Sequence, residues 1–486
     1  MARSTRREFL DEAFFATALA GLAARGAFAE TLAPAPAPRR QGANDRLRLA
    51  CIGVRGRGVA HVEGYLDLPD AEVAAVCDID LGVVGKAVSA VEKKTGKKPD
   101  VLQDLRKVFE RKDIDAVSLA LPIHWHTLAS VWAMESGKHV YCEKPVSHNV
   151  REGRRIHEAS LRYKRVGQTG TQSRSAKAIR DAIAHVHSGG IGKVITSRGL
   201  CYKPRTSIGI QPDAPVPAGV DFDLWLGPAP KRAFNPNAFH YNWHWMWDTG
   251  AGDLGNQGIH QMDIARWALG KSTLPRTVLS VGGRLGYVDQ GQTPNTLVAH
   301  YDYDDAALIF EVRGLPTPGL VAKGSMPGVQ IGNIIRGDRG YVAMSSDYGK
   351  AAAFDLEGNV VASWSGGGNH FVNFVAAAKA GRPDGLNAPV LEGHLSSALC
   401  HLGNVSYKLG SERDASSVEL KHPDMIDAYE RMAQHLSTNG VDLSKTRVRV
   451  GQRIEVDARK EGLRDPKADA LCTREYRSGF VVPGKI

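Results

Sequence analysis

Between Leu47 and Glu143 short apolar runs alternate with segments of helical character, and no other feature constrains the fold as tightly. Residues 47–54, 72–78, 116–122 and 139–143 read as strands, and 58–66, 81–95 and 127–136 as the helices between them. Strands joined by helical crossovers run parallel, so the pattern predicts β-α-β units and a doubly wound α/β sheet with helices on both faces. This domain is expected over 47–165. Beyond about Gly190 the character changes. Strand-like runs at 193–200, 277–281, 296–301 and 307–312 crowd together between Gly- and Pro-rich loops. They predict a second, α+β domain over 166–410, built on a mixed or antiparallel sheet. Helical periodicity at 391–409 is expected to pack back onto the first domain, and 411–486 reads as a charged C-terminal extension. With 486 residues, 43% of them hydrophobic, the chain can bury more than one core.

Charge and cysteine usage narrow the function. The net charge is +10, but the 62 Lys and Arg residues are interspersed with 52 acidic ones, without basic blocks. Nucleic acid is therefore not an expected partner. No apolar stretch approaches the roughly 20 residues of a spanning helix, so no membrane anchor is expected. Cys51, Cys77 and Cys142 lie in strand-like runs, and Cys201, Cys400 and Cys472 are isolated. With no Cys-x-x-Cys or zinc spacing, they read as free structural thiols, and no metal site is expected.

The first thirty residues read as an address. Arg6-Arg7 precede a small-residue apolar stretch that ends in Ala27-Phe28-Ala29, which resembles a twin-arginine export signal. The expectation is cleavage near Ala29, with signal over 1–29, an Ala/Pro-rich arm over 30–46, and a periplasmic or secreted mature chain. The resemblance to such signals implies export in the folded state, with any cofactor already loaded.

The turn after the first strand is Gly53-Val54-Arg55-Gly56-Arg57-Gly58. A dinucleotide-binding turn needs glycine for the tight bend, for approach of the pyrophosphate and for helix–strand contact. Gly53 and Gly58 match the first and third needs. Arg55 stands at the second, with Gly56 beside it to supply a side-chain-free position. Asp78 ends the second strand 20 residues after Gly58. A carboxylate there accepts both ribose hydroxyls and repels a 2′-phosphate, so NAD is the expected cofactor. A capping aspartate is the plain alternative. Pro122, His124 and His126 follow a strand and are expected at the carboxyl edge, where ligands bind in open α/β sheets. Glu143-Lys144-Pro145 ends the last strand at the same edge. A lysine there can donate to a hydroxyl, and desolvation can lower its pKa toward base duty.

Gly-Lys-His-Val-Tyr-Cys-Glu-Lys-Pro at 137–145, preceded by Pro122 and His124-Trp125-His126, resembles the glucose–fructose oxidoreductase/inositol dehydrogenase family (Gfo/Idh/MocA) over roughly 47–410. The resemblance implies an N-terminal Rossmann domain and a C-terminal α+β domain whose open sheet faces the nicotinamide. It also implies that Lys144, with its neighbour Glu143, contacts the nicotinamide ribose and the substrate. Asp253 to Asp263 looks like the family's Asp-x-Gly-x-His/Tyr-x-x-Asp motif, which makes His260 the proton-transfer residue and puts Asp263 near the site. Asn256 replaces the usual acid. Within a helix from about Leu254, Asn256 and His260 share a face.

Upstream, Phe239-His240-Tyr241-Asn242-Trp243-His244-Trp245 is densely aromatic. Aromatic faces stack on sugar rings while His and Asn meet hydroxyls, so His244 and Trp245 are expected at the substrate; an aromatic core cluster is the alternative. Lys203 and Arg205 are lesser candidates. The expected activity is NAD-dependent oxidation or reduction at a hydroxyl of a carbohydrate or polyol by a homo-oligomer, with the cofactor retained through the cycle. Two rivals stand beside it: a redox-neutral, NAD-dependent glycosidase of the α-N-acetylgalactosaminidase kind, and a non-catalytic sugar-binding protein.

Overall fold

A computed structural model describes residues 46–317, 329–345 and 348–486. The expected export signal at 1–29, and the arm at 30–46 except its last residue, lie outside the described residues. The first domain runs β1 (Leu47–Ile52), α1 (Arg57–Leu66), β2 (Ala71–Cys77), α2 (Gly85–Thr95), β3 (Asp100–Leu102), α3 (Leu105–Glu110), β4 (Ala116–Leu119), α4 (Ile123–Glu135), β5 (His139–Cys142), α5 (Val150–Arg162) and β6 (Gly167–Thr169). Six parallel strands lie in the order β3-β2-β1-β4-β5-β6. The order reverses between β1 and β4, and the carboxyl ends of those two strands open the crevice in which such sheets bind ligands.

Three details depart from the sequence reading. Helix α4 begins at Ile123, four residues earlier than expected, because Pro122 sits at its N-cap with extended backbone. This carries His124 and His126 off the strand edge and into a helix. Strand β3 and helix α3 are too short for a periodicity to reveal. Strand β6 pairs with β5 at 167–169, past the expected domain boundary at 165.

The second domain runs α6 (Lys177–His187), β7 (Val194–Tyr202), α7 (Phe222–Leu226), α8 (Gly252–Asn256), α9 (Gly258–Ala268), β8 (Thr277–Gly283), β9 (Thr296–Asp302), β10 (Ala307–Arg313), β11 (Ile331–Gly337), β12 (Tyr341–Met344), β13 (Lys350–Phe354), β14 (Val360–Ser365), α10 (His370–Ala380), α11 (Val390–Lys408), β15 (Ser411–Asp414), α12 (Pro423–Thr438), β16 (Arg447–Val450) and β17 (Ile454–Asp457). Its mixed sheet has the order β14-β13-β12-β11-β7-β10-β9-β8-β16-β15, with β17 also on β8. The β7–β10 pair is parallel and its neighbours are antiparallel.

Residues 411–486 are not an appendage. Strands β15, β16 and β17 extend the sheet. Met425, Ala428, Met432 and Leu436 of α12 bury against Val281, Val298 and Ile309. Phe480 and Val482 return to the first domain and join the core of Trp125, Leu128 and Val131. The charged composition of this stretch hid an amphipathic helix and a short apolar anchor. Helix α11 packs on α5, joining the two domains. All six cysteines are buried free thiols.

Candidate active site

A cavity of about 390 Å³ opens at the carboxyl edge of the parallel sheet and runs under the loop between β7 and α8. Its outer end is made by backbone sterics. Gly53 has φ +80°, and a Cβ on it would lie 2.6 Å from the Ala120 carbonyl oxygen. A Cβ on Gly58 would lie 1.7 Å from the Gly53 oxygen, so glycine alone lets α1 start against β1. Gly56 has φ +56° with open space where its side chain would be. The Val54 and Asp80 amides donate to the two oxygens of Asp78 at 2.8 and 3.1 Å. Burial raises the Asp78 pKa, and those two amide bonds partly oppose the rise. Each Asp78 oxygen keeps a lone pair for a further donor. Arg55 is exposed in the cavity without a carboxylate partner among the described residues. An open glycine cradle, an exposed guanidinium and an anchored acid fit a dinucleotide: phosphates at the turn, ribose hydroxyls at Asp78.

The inner end is made of buried charge. Arg57 reaches from the turn to Glu143, Nε to Oε1 at 2.8 Å, and His61 meets the same oxygen at 3.1 Å. Burial opposes ionisation of Glu143, but the His61 hydrogen bond and the Arg57 and Lys144 charges outweigh it and hold its pKa well below the usual range. Lys144 donates from Nζ to the Asn256 carbonyl at 3.0 Å. Burial, the largest influence, lowers its pKa; Glu143 opposes this, while Arg57 and Lys203 reinforce it. His260 is 7% exposed, and its pKa is driven well below the ordinary value by burial and then by Lys144. Its Nδ1 is buried without a hydrogen-bond partner. A buried N–H left unpaired costs more than an unpaired lone pair, so the neutral ring carries its proton on Nε2.

The cavity gathers Gly53, Arg55, Gly56, Arg57, Asp78, Pro122, Glu143, Lys144, Asn256 and His260 from the sequence-predicted set. Val54 and Gly58 lie behind the turn. Five residues fall elsewhere. His124 donates to the Trp225 carbonyl at 2.9 Å and His126 to the Pro145 carbonyl at 2.6 Å. Burial pushes them down to about 3 and about 4, so both are neutral fasteners of α4. Asp263 is fully buried under a bidentate Arg174 at 2.7 and 2.9 Å and accepts from Ser396 at 2.7 Å. His244 donates to the Tyr241 carbonyl at 2.6 Å, and Trp245 lies beneath the Arg284 guanidinium. From the same aromatic run, Phe239, His240, Tyr241 and Trp243 face the cavity instead. The run folds as short 3-10 turns, whose three-residue period selects side chains that helical or strand spacing does not. Trp125, quoted above only as part of its motif, also lines it, and so do Asp80, Gln103, Gln172, Trp225 and Gln257, which no sequence signal singled out.

The β7–α8 loop is tied down on both sides. Leu81 donates to the Gly219 carbonyl at 3.1 Å, Asp221 to Ile79 at 2.9 Å, and Gln103 Nε2 bridges Ile79 and Gly219. From the C-terminal stretch, Arg474 donates to the Asp248 carbonyl at 2.8 Å and Arg477 pairs with Asp223 at 2.7 Å. Among the described residues no cluster of His, Cys, Asp and Glu is placed to hold a metal, and no helix is long and apolar enough to cross a membrane.

Comparison with known proteins agrees with this layout. Residues 47–171 match the oxidoreductase family described as having an NAD-binding Rossmann fold, and 198–311 match the C-terminal alpha/beta domain of the same family. Over 163 residues the chain is 36% identical to a glycosyl hydrolase family 109 protein of Shewanella baltica, covering 30% of this chain and 35% of that one. An alpha-N-acetylgalactosaminidase of Shewanella oneidensis is 35% identical over 159 residues, with the same coverage. The chain thus spans about a third of the length of these curated relatives. Among solved structures, the WlbA dehydrogenase of Bordetella pertussis, in complex with NADH and UDP-GlcNAcA, superposes with a TM-score of 0.53 at 17% identity, covering 74% of this chain and 95% of that one. The UDP-N-acetylglucosamine 3-dehydrogenase GnnA of Acidithiobacillus ferrooxidans gives 0.52 at 15%, covering 74% and 97%. At those identities the likeness is one of fold.

Proposed function

The chain belongs to the Gfo/Idh/MocA oxidoreductase family, with an NAD-binding Rossmann domain, and from that premise we propose that it oxidises or reduces a hydroxyl-bearing carbon of a sugar, sugar derivative or polyol. The observation that carries the proposal is the lysine–histidine pair, Lys144 and His260, at the inner end of the cavity that has Asp78 at its outer end. NAD, when bound, supplies the two-electron acceptor or donor for that carbon. The protein's own part is to hold the hydroxyl and move its proton. A base works best with a pKa near the working pH. Lys144, lowered from the usual amine range, answers that need better than His260, whose pKa lies well below neutrality. Lys144 therefore takes the hydroxyl proton, and His260 donates from Nε2 to the same oxygen. This reverses the order of roles expected from the family motif. The tied-down β7–α8 loop over the cavity supports a retained cofactor, and the Arg6-Arg7 segment supports export of the loaded protein.

One observation favours a second reading. The curated relatives that match at 35–36% identity are named as glycosidases. A redox-neutral glycosidase would release sugar from p-nitrophenyl α-N-acetylgalactosaminide with no net change in NADH absorbance. A dehydrogenase would change that absorbance in step with product. The test is to purify the protein, identify its co-purifying nucleotide, dialyse, and assay both outputs without added NAD. A protein that holds no dinucleotide and binds none on titration defeats both readings.

A further inference from the structure

Charge around the inner end of the cavity does not balance. Arg57 is matched by Glu143, and Arg205 is matched by a bidentate contact with Asp253 at 2.7 and 2.6 Å. Two lysines remain. Lys144 donates to the Asn256 carbonyl, and Lys203 to the Gln257 side-chain oxygen at 2.9 Å. Among the described residues neither has a carboxylate within ion-pairing distance. Their acceptors are adjacent residues at the α8–α9 junction, and both Asn256 and Gln257 line the cavity. Lys203 is close enough for its charge to act on both Lys144 and His260.

Tyr241 completes the arrangement. Its phenol oxygen accepts from Asn256 Nδ2 and from Arg205 Nη1, each at 3.2 Å. With both lone pairs engaged, the hydroxyl hydrogen has no role within this cluster and is free for an acceptor in the cavity. Lys203, an ammonium without a carboxylate, stands one hydrogen bond behind the cavity wall at Gln257, and Tyr241 on that wall has a free O–H; together they can meet an anion in the cavity.

We propose that the substrate carries an anionic substituent, a carboxylate or a phosphate ester, received by Lys203 and Tyr241 beside Lys144. The inference deepens the sugar reading above and rests on it.

The test is calorimetric titration of the dinucleotide-loaded protein with D-glucuronate, D-glucose 6-phosphate and D-glucose. At least one acid should bind about tenfold more tightly than glucose, equivalent to about 1.4 kcal/mol. Which acid does so separates carboxylate from phosphate. Lys203→Met should bring the acid-to-neutral ratio toward one, and Lys203→Arg, which keeps the charge and the length, should preserve it. Glucose binding as tightly as both acids, or an acid preference that Lys203→Met leaves unchanged, overturns the anionic subsite alone. Failure of all three sugars to bind overturns the sugar reading with it.

Discussion

The two ends of the cavity are built on opposite principles. At the outer end the shape is set by absences: two glycines, Gly53 and Gly58, whose missing side chains let backbone approach backbone, and one anchored carboxylate. At the inner end it is set by buried charge, with Arg57, Glu143, His61, Lys144 and His260 each shifted by its neighbours. Sterics give a rigid cradle that tolerates no substitution but needs no electrostatic tuning. Buried charge gives tunable proton affinities, and each group depends on the others staying in place. Breaking the first should cost binding; breaking the second should cost chemistry.

The largest expected effect lies at the outer end. Gly58→Ala puts a Cβ 1.7 Å from the Gly53 oxygen, and the obstacle is backbone, which cannot swing aside. Overpacking of this kind costs about 1–3 kcal/mol and more against rigid structure. Nucleotide content of the purified variant should fall to background, and its melting temperature should drop. Gly56→Ala, at φ +56° and ψ −108° in open space, is the internal control: it meets no neighbouring atom and carries only the strain of a backbone conformation that favours glycine. Equal nucleotide loss in the two would show that steric closeness is not what matters.

At the inner end, Lys144→Met should lower kcat by about 10²–10⁴ while nucleotide content stays near one per chain. The pH profile should change with it. The unprotonated amine is the active form, so the rate of the unaltered enzyme should rise with pH through the depressed Lys144 pKa, and that limb should vanish in the variant. If instead His260→Gln removes the limb and Lys144→Met leaves it, the two roles must be exchanged.

Stability should follow pH with a sign that the buried histidines dictate. His61, His124, His126 and His260 all have folded pKa values below their ordinary one, so the unfolded chain binds protons that the folded chain refuses. Unfolding free energy should therefore fall as pH drops below about 6.5. Glu143, held well below the carboxylate range, adds stability above that range that is lost as pH falls through its folded value. Both contributions destabilise in acid. Flat stability between pH 7 and 5 by denaturant titration would contradict the burial of these rings.

These contrasts also show what the amino-acid pattern can carry. Gly53, Gly58 and Asp78 were legible because a tight turn and a ribose contact each need one residue type at one spacing. Lys144 and His260 were legible through their motifs, but their roles were not, since a pKa depends on burial and neighbours that no local pattern records. His124, His126 and His244 misled for the same reason: a histidine that fastens a carbonyl is spelled like one that meets a ligand. The β7–α8 loop hid its cavity-facing residues because 3-10 turns and irregular backbone impose no period of 3.6 or 2.

Asp78→Ser lies between the extremes. It removes a charged acceptor but keeps the backbone cradle, so NAD affinity should fall by the about 1.5–3 kcal/mol of a charge-assisted hydrogen bond, and discrimination against NADP should relax. Dissociation constants for both nucleotides, measured by quenching of the tryptophans that line the cavity, decide it. An unchanged NAD-to-NADP ratio would make Asp78 a cap for the Val54 and Asp80 amides and nothing more.

The smallest effect tests how the cavity is closed. Arg477 reaches from the C-terminal stretch to Asp223 in the β7–α8 loop at 2.7 Å, and the Asp223 side chain is 60% exposed. Arg477 is only 12% exposed and lies over the Phe480 ring, but the open Asp223 end leaves the ion pair itself to water and salt, at about 0–1 kcal/mol. Further along the same stretch, Phe480 is 8% exposed and meets Trp125 edge-on with ring centroids 5.6 Å apart. The loop itself is held by backbone hydrogen bonds at Leu81 and Asp221 that do not involve Arg477. Arg477→Met should then leave melting temperature and nucleotide content almost unchanged, and should speed release of the bound nucleotide less than about fivefold, the equivalent of about 1 kcal/mol. Release is followed by chasing the loaded protein with excess unlabelled NAD. A much larger acceleration would mean that the Arg477–Asp223 pair, rather than the packed Phe480 and the backbone ties, keeps the loop over the cofactor, and that closure at this end is electrostatic like the chemistry beneath it.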